Sequence, residues 1–237
     1  MLFGRNRNVQ AETVILPEHL RDEQDVPTAT ERPEGPYDIS EIESREFSKG
    51  YMDLGTIKVP MRKNVSYRLE QEQAKNKVFA VSAVHENSTL QIQAFAAPRS
   101  GGLWEEIRQE MYDQNKGAKG AKLAFQEGEF GQELIIRIPA KLPDGRKGER
   151  IARFLGIDGP RWMLRAMIMG KAALNKKDAT VLDDILKNTV IDRGEQPLPA
   201  RQLLELTPPE NVQAAMQEAA AQRRKQAKAR QQESRTN

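Results

Sequence analysis

Hydrophobic and polar residues alternate along much of the middle of the chain. Val65, Tyr67 and Leu69 are separated by single polar residues, and the same period of two recurs over 90–94 and 134–138. This alternation is typical of β-strands that bury one face and expose the other. Further strands are predicted over 56–59, 78–84, 151–157 and 162–169.

Two segments show the longer period of an α-helix. Large apolar residues recur four positions apart from Leu103 onward and predict a helix over 103–115, which Ser100 is placed to cap. A second apolar stripe, which includes Leu182, predicts a helix over 178–188. The predicted order is therefore a group of strands, a helix, a second group of strands and a second helix.

Short turns connect the predicted strands. The segments 143–145 (Pro-Asp-Gly) and 158–160 (Asp-Gly-Pro) combine a fixed φ angle, a side-chain acceptor and a flexible glycine. Such short connections join antiparallel strands, because parallel strands need a long crossover. We therefore predict an α+β fold: a single antiparallel β-sheet of about six or seven strands with two helices packed on one face, flanked by flexible tails.

Composition divides the chain into three parts. Residues 1–46 hold five arginines against eleven acidic residues, a formal charge of −6, and four prolines. We predict a disordered acidic head there, and we interpret the apolar triplet 14–16 as chance rather than as a docking motif. The compact domain is predicted over 47–206. Residues 207–237 are predicted to be a basic, marginally helical tail, because 210–237 hold six basic and three acidic residues among alanines and glutamines.

The sequence offers little for catalysis or metal binding. It contains no cysteine, which excludes disulfides and thiolate chemistry, and it has two histidines, His19 and His85, neither at the spacing of a metal site. The adjacent carboxylates at 105–106 and 183–184 point to different sides of their helices, which suits solvation better than acid–base catalysis. We predict no catalytic residue, no metal and no cofactor.

The sequence shows neither a signal-peptide pattern nor a membrane-helix pattern, and this indicates its cellular location. Its first residues have no apolar run followed by a small-residue cleavage site, as a secretory signal peptide would. No window approaches the roughly 18 consecutive apolar residues that suggest a membrane helix. We therefore expect a cytoplasmic protein with no membrane partner.

One glycine-containing loop is a weak candidate for anion binding. Arg99, Ser100 and Gly101 lead into the first predicted helix, and the free N–H groups at a helix N-terminus can bind an anion. However, the loop matches no phosphate-binding motif. Glu105 and Glu106 also already compensate the helix dipole.

The two tryptophans have arginine neighbours. Trp104 follows Arg99, and Trp162 lies between Arg161 and Arg165. Arginine and tryptophan dominate interface hot spots, and a guanidinium stacks well on an indole. These residues, with Ser100 and Gly101, are our candidates for a partner- or anion-binding surface. The alternative is that both tryptophans anchor the core, with the arginines in salt bridges at its rim.

Two blocks of sequence resemble a known family. The first covers 90–104 and reads LQIQAFAAPRSGGLW, and the second covers 158–165 and reads DGPRWMLR. Both resemble the actinobacterial family called domain of unknown function 3710, and the resemblance extends over about residues 53–206. It implies a high-GC Gram-positive bacterial origin and a cytoplasmic location. The family has no assigned activity, so the resemblance supplies no catalytic residue, and the basic tail departs from its typical members.

Three functions remain open. We favour a non-enzymatic binding or adaptor module that recognises a protein partner through the Arg/Trp residues. A nucleic-acid- or ribosome-associated role through the basic tail and body is one alternative, and an enzyme of unrecognised type is another. Exposed, clustered arginine and tryptophan would favour the first, a continuous basic stripe the second, and a deep pocket with perturbed acids the third. Neither the partner nor the oligomeric state follows from the sequence.

The basic tail should bind nucleic acid only weakly. It has five basic residues within 223–230 but no aromatic residue to stack on bases. Deleting 207–237 should therefore reduce affinity for a mixed-sequence oligonucleotide at low salt. At physiological ionic strength, where the Debye length is about 8 Å, even the full chain should bind little. Fluorescence polarisation at the two salt concentrations measures this. Submicromolar, tail-dependent binding at physiological salt would contradict it.

Overall fold

The structure of the protein is a computed structural model. It describes residues 11–15, 35–42, 50–72, 77–141 and 145–214, and only the backbone within 11–15. The strands are β1 (Ala11–Ile15), β2 (Tyr37–Asp38), β3 (Tyr51–Asp53), β4 (Ile57–Pro60), β5 (Val65–Glu72), β6 (Lys77–His85), β7 (Ser88–Ala96), β8 (Lys122–Gly128), β9 (Gly131–Lys141), β10 (Lys147–Gly159), β11 (Trp162–Gly170) and β12 (Val190–Ile191). The helices are α1 (Leu103–Asn115), α2 (Lys176–Lys187) and two short 3₁₀ helices, Ile39–Glu41 and Lys171–Ala173, while residues 210–214 begin a further α-helix.

Eight strands form the larger sheet, in the order β1-β5-β6-β7-β11-β10-β9-β8. Hairpins join β5, β6 and β7 into one antiparallel group, and β8, β9, β10 and β11 into another. The two groups meet where β11 pairs with β7 along its whole length. The predicted α+β class and the antiparallel sheet are thereby confirmed.

Four short strands form a second sheet, in the order β2-β12-β4-β3. Strand β12 runs parallel to β2 and antiparallel to β4. The sequence analysis predicted β4 but not its partners or a second sheet. Strands of two or three residues are too short to show a period of two, so only their three-dimensional neighbours define them.

The two long helices pack on opposite faces of the larger sheet, whereas the sequence analysis placed both on one face. Along β11, Met163 packs in the cluster of α1, while the next residue, Leu164, and Ile168 pack in the cluster of α2. Strand β11 is therefore covered on both sides. Its near-continuous apolar sequence shows no polar, solvent-facing side. The pattern therefore could not indicate on which face of the sheet each helix packs.

Both tryptophans pack against glycines of β10, from opposite faces. A Cβ atom on Gly156 would lie 2.1 Å from Cδ2 of Trp104, and one on Gly159 would lie 2.1 Å from Cζ2 of Trp162. The two rings are 6% and 1% exposed, respectively. The indole N–H of Trp104 also donates to the carbonyl of Gln132 at 2.8 Å. The ring thus fixes α1 against β9 and β10.

Asp38 connects the smaller sheet to the larger one. Its carboxylate accepts the indole N–H of Trp162 at 2.7 Å and the backbone N–H of Ser40 at 3.0 Å. Burial opposes ionisation of this carboxyl group, but the hydrogen bonds from Ser40 and Trp162, together with the charge of Arg161, outweigh burial and lower the pKa of Asp38. The buried indole N–H therefore depends on one carboxylate for its partner.

Adjacent aspartates of α2 bind arginines on two sides of the helix. Asp183 accepts from Nη2 of Arg153 at 2.5 Å, and Asp184 accepts from Nε of Arg62 at 2.6 Å. The prediction that these carboxylates point to different sides of their helix is confirmed. The two ion pairs fix the rotation of α2 over the larger sheet.

Parts of both predicted tails belong to the fold. Residues 11–15 pair with β5, and Tyr37 is buried in the smaller sheet. In the predicted tail, Val212 is buried in the cluster of α2. Residues 1–10, 16–34 and 43–46 of the head and all residues after 214 lie outside the described residues, so disorder there and marginal helicity in the tail stay predictions.

Replacing Gly156 with alanine should destabilise the protein, because the new Cβ would overlap the ring of Trp104. Overpacking of this kind costs about 1–3 kcal/mol, and each kcal/mol lowers Tm by about 2–4 °C in a chain of this size. Gly117→Ala is the matched control, because no atom lies within 4 Å of its added Cβ. Thermal melts of the two variants test the contact, and equal midpoints would refute it.

Asp38→Ala should also destabilise the protein, because it leaves the buried indole N–H of Trp162 without its acceptor. The expected loss at neutral pH is about 1–3 kcal/mol in the free energy of unfolding. Glu105→Ala, which removes an exposed carboxylate, should cost only a few tenths of a kcal/mol.

The effect of Asp38 should depend on pH in a defined direction. Since folding lowers the pKa of Asp38, its stabilisation is complete above the unfolded value of about 3.8 and disappears as pH falls through the folded value. Urea unfolding at neutral pH and at about pH 3 should therefore show a smaller difference between wild type and Asp38→Ala at the lower pH. A difference that grows on acidification would contradict the ionised contact.

Candidate functional site

The predicted Arg/Trp residues do not form one surface. Trp104 and Trp162 are buried beneath opposite faces of β10, as the alternative interpretation of core anchors required. The arginines separate into two places: Arg99 and Arg161 line one groove, and Arg165 lines a different cavity. A binding role for these arginines stays a prediction, and the indoles do not contribute a surface to it.

A carboxylate of the chain occupies the N-terminus of α1. The backbone N–H of Trp104 lies 3.3 Å from both carboxylate oxygens of Asp158. The capping residue is Gly102, with φ +81°, so Ser100 does not cap the helix as predicted. Ser100 and Gly101 instead form the turn before the helix. An anion at this helix end would have to displace Asp158.

Arg99, Pro160, Arg161 and Glu195 line a groove of about 580 Å³, which we call the arginine groove. Among the described residues, the guanidinium of Arg99 has no hydrogen bond or ion pair. The guanidinium of Arg161 has one long contact, 3.5 Å from Nη2 to the carbonyl of Gly194. Both cations lie at the end of the larger sheet, beside the β10–β11 turn, where Arg99 is exposed and Arg161 is half-buried.

The backbone of Arg161 lies in the left-handed region, at φ +61°. Pro160 and Arg161 are the two residues between β10 and β11, and a positive φ in the second of them is a position that glycine or asparagine normally takes. The carbonyl of Arg161 accepts the N–H of Ala97 at 2.9 Å and Nε of Arg193 at 3.2 Å. The backbone of this turn is therefore fixed by its neighbours.

Arg193 connects the backbone segments that carry the groove residues Arg161 and Glu195. Besides the carbonyl of Arg161, its Nη1 donates to the carbonyls of Gly194 at 3.1 Å and Gln196 at 2.6 Å. These bonds hold the loop that carries Glu195 against the β10–β11 turn. Arg193 also lines the second cavity, so it lies between the two sites.

A cavity of about 880 Å³ lies where β6 and β7 separate, and we call it the split cavity. The ladder between these strands ends at the pair Val81–Ile92. Beyond this pair, the segment 202–206 enters between the strands and donates N–H groups to the carbonyls of Ala94 at 2.8 Å and Val78 at 2.9 Å. One wall of the cavity therefore comes from a segment far along the chain.

A β-bulge places Phe79 on the wall of the split cavity. Gln71 pairs with Val78 and Glu70 with Ala80, which leaves Phe79 as the extra residue between them. Bulges commonly redirect a side chain near a functional site. The remaining apolar wall residues are Val78, Leu198, Leu203 and Leu204.

Arg165 lies on the wall of the split cavity, opposite Gln93 in the β11–β7 ladder. Its Nη2 donates to Oε1 of Gln93, and its guanidinium lies over the ring of Phe95, 5.1 Å from the ring centre. Among the described residues no carboxylate pairs with it. Arg165 is half-buried, and this burial lowers the pKa of its guanidinium.

The buried acids of the protein lie elsewhere. Burial raises the pKa of Glu133, because the nearest nitrogen of Arg153 is 3.9 Å away and compensates only in part. Glu133 and Asp183 hold Arg153 beneath α2, and neither lines the arginine groove or the split cavity. This cluster is an ionic support for the helix.

Two absences concern the part of the chain that the structure describes. No group of three or more acidic residues or histidines is placed to hold a metal ion. No helix there is long and apolar enough to cross a bilayer.

Sequence reasoning missed Phe79, Gln93 and Arg193. Gln93 lies inside the first family block but was interpreted only as the polar side of a strand. Phe79 becomes a wall residue through the bulge, which no periodic pattern reveals. Arg193 follows a two-residue strand in a stretch without periodicity. A glycine at 194, a common turn residue, was the one local signal of a loop there.

Comparison with known proteins identifies a family. Neither a curated protein nor a solved structure matches the chain. The sequence model of one family matches residues 35–215, from β2 to the beginning of the last helix, and so includes both cavities. The chain belongs to the family described as protein of unknown function (DUF3710).

Proposed function

We propose that the protein is a non-enzymatic binding or adaptor module whose arginine groove receives an acidic segment of a partner protein. The observation that carries this proposal is Arg161. It holds a strained backbone conformation, while its guanidinium makes one long contact within the described residues.

Within the described residues, the Arg161 side chain contributes little to the fold: its charge helps to lower the pKa of Asp38, but it forms no ion pair and makes one long contact, with Gly194. A left-handed conformation costs a residue other than glycine roughly 1–2 kcal/mol. Glycine at this position would form the same turn and keep both hydrogen bonds to the carbonyl, because those bonds use only the backbone. Backbone strain is often found at functional sites. The arginine side chain is therefore best explained by something that binds it.

The groove has the charge for an acidic partner. On its wall Arg99 is exposed and Arg161 is half-buried, and neither forms an ion pair within the described residues, although the charge of Arg161 acts on Asp38. Guanidinium groups bind carboxylates through paired hydrogen bonds. Among the described residues of the wall, Glu195 is the single acid. Two arginines neutralise few phosphates, so the nucleic-acid alternative depends on the tail, which lies outside the described residues.

Arg161→Gly should separate binding from stability. Relief of the left-handed strain should outweigh the added entropy of the unfolded chain, about 0.4–1 kcal/mol, so Tm should stay constant or rise. Affinity for an acidic probe should fall by about two- to fivefold, the effect of an exposed ion pair worth up to about 1 kcal/mol. Fluorescence polarisation with labelled hexaglutamate measures this, with hexalysine as the probe of opposite charge.

Arg150→Ala is the control variant, because it removes an exposed arginine of β10 outside the groove. It should leave hexaglutamate affinity close to wild type, while Arg99→Ala should reduce it as Arg161→Gly does. A clear fall in the Tm of Arg161→Gly would show that the side chain is structural. Equal losses in all three variants would show that only net charge matters, and either result would refute the proposal.

A further inference from the structure

We propose that the split cavity binds a small amphiphile, a molecule with an apolar body and one oxyanion head, and that Arg165 pairs with the head. The head is a carboxylate or a phosphate, which share this recognition chemistry. The split cavity and the arginine groove have no lining residue in common, so this inference does not depend on the proposed adaptor function.

The first observation is an uncompensated cation. A guanidinium has five N–H donors, and Arg165 gives one, on Nη2, to Gln93. The contact with the ring of Phe95 orients the guanidinium without neutralising it. Removing a charge from water is costly unless an opposite charge accompanies it. A ligand oxyanion would supply that charge, and the remaining N–H groups can bind two of its oxygens.

The second observation is that other charges on the wall are already engaged. Lys77 pairs with Glu205 at 2.5 Å, and Arg193 donates to three backbone carbonyls. Glu72 also has an interaction partner. Among the described wall residues, Arg165 is thus the cation whose donors remain largely unused. Because one cation on the wall has unused donors, a ligand with one anionic head fits the cavity better than a ligand with two.

The third observation is the apolar wall beside Arg165. Phe79, Leu198 and Leu203 are only partly buried and line the cavity, while Val78 and Leu204 are buried behind them. Leu203 lies in register with Phe95, the residue whose ring carries the guanidinium, so an apolar surface begins beside the cation. A ligand body placed there would cover apolar carbon that now faces the cavity.

The size also fits a small molecule. Sites for small ligands typically occupy roughly 300–1,000 Å³ and combine apolar walls with a few polar groups that fix orientation. The split cavity, at about 880 Å³, falls within that range.

Isothermal titration with four probes tests the site on the full chain. Decanoate and decyl phosphate carry the body and an oxyanion head, decanol carries the body alone, and acetate carries a head alone. All are used below their aggregation concentrations. We expect one-to-one binding of at least one of the two anionic decyl probes, about tenfold tighter than decanol, and no measurable heat with acetate. The tighter anionic probe identifies the head.

Arg165→Met should weaken the anionic probe at least about tenfold and leave decanol unchanged, because methionine keeps the apolar bulk and removes the charge. Leu203→Glu is a second variant at a half-exposed position, which places a negative charge beside the head and should cause a similar loss. It keeps the test valid if Arg165→Met does not fold. Arg150→Met, outside the cavity, should bind as wild type does.

Several results would overturn the inference. One is the absence of binding by both anionic decyl probes, and another is decanol binding as tightly as they do. Undiminished binding of the anionic probe by Arg165→Met or by Leu203→Glu, in variants that melt cooperatively, would do the same. Equal losses in Arg150→Met would show that the probe responds to net charge alone.

Discussion

Two indole rings pack against two glycines of one strand, and the layers of the protein meet through these contacts. On one face, Trp104 fills the space above Gly156 and brings the first turn of α1 onto β10. On the other face, Trp162 covers Gly159 and presents its N–H to Asp38, which belongs to the smaller sheet. A strand with side chains at both positions could not accept either ring. The absence of two Cβ atoms therefore allows a helix and a second sheet to be joined to the larger sheet from opposite sides.

The same contacts explain why the neighbouring arginines reach the surface. Arg161 adjoins Trp162, and with that ring buried the turn at Pro160 and Arg161 lies at the outer end of the larger sheet. Asp158 binds the N-terminus of α1 and so removes the anion site that a helix end usually provides. The positive charge available to a partner is consequently located on side chains, at Arg99 and Arg161, and not on the helix dipole.

The sequence predicted what depends on local periodicity. The bounds of α1 agree with the predicted 103–115, and the long strands of the larger sheet were located by their alternation. The face of the larger sheet on which each helix packs could not be predicted. Strand β11 is buried on both faces and therefore shows no alternation. Likewise, β2, β3 and β12 are too short to show a period, and they form a sheet only because residues 37, 58 and 190 meet in space. The helix cap was also predicted wrongly, since Asp158 comes from a hairpin more than fifty residues away.

The two cavities were beyond sequence reasoning for a related reason. The arginine neighbours of Trp104 and of Trp162 suggested that the two tryptophans share a surface, but each packs against its own face of β10. The split cavity requires a bulge at Phe79, a register that pairs Arg165 with Gln93, and a late segment lying beside both. All three features depend on residues far apart in the sequence. The hydrophobic periodicity of a single segment contains no information about such contacts. Arg165 was nevertheless selected from the sequence, because it is an arginine neighbour of Trp162.

The insertion of 202–206 between β6 and β7 has a consequence for synthesis. Lys77 and Glu205, which pair in the folded protein, are 128 positions apart in the chain. At about 5–20 residues per second, a ribosome needs on the order of ten seconds to make the intervening segment. During that interval the diverging ends of β6 and β7 have backbone N–H and C=O groups without their final partners, as the edge of an open sheet does. The centre of the larger sheet is thus completed among the last parts of the domain, only after residue 206 has left the ribosome.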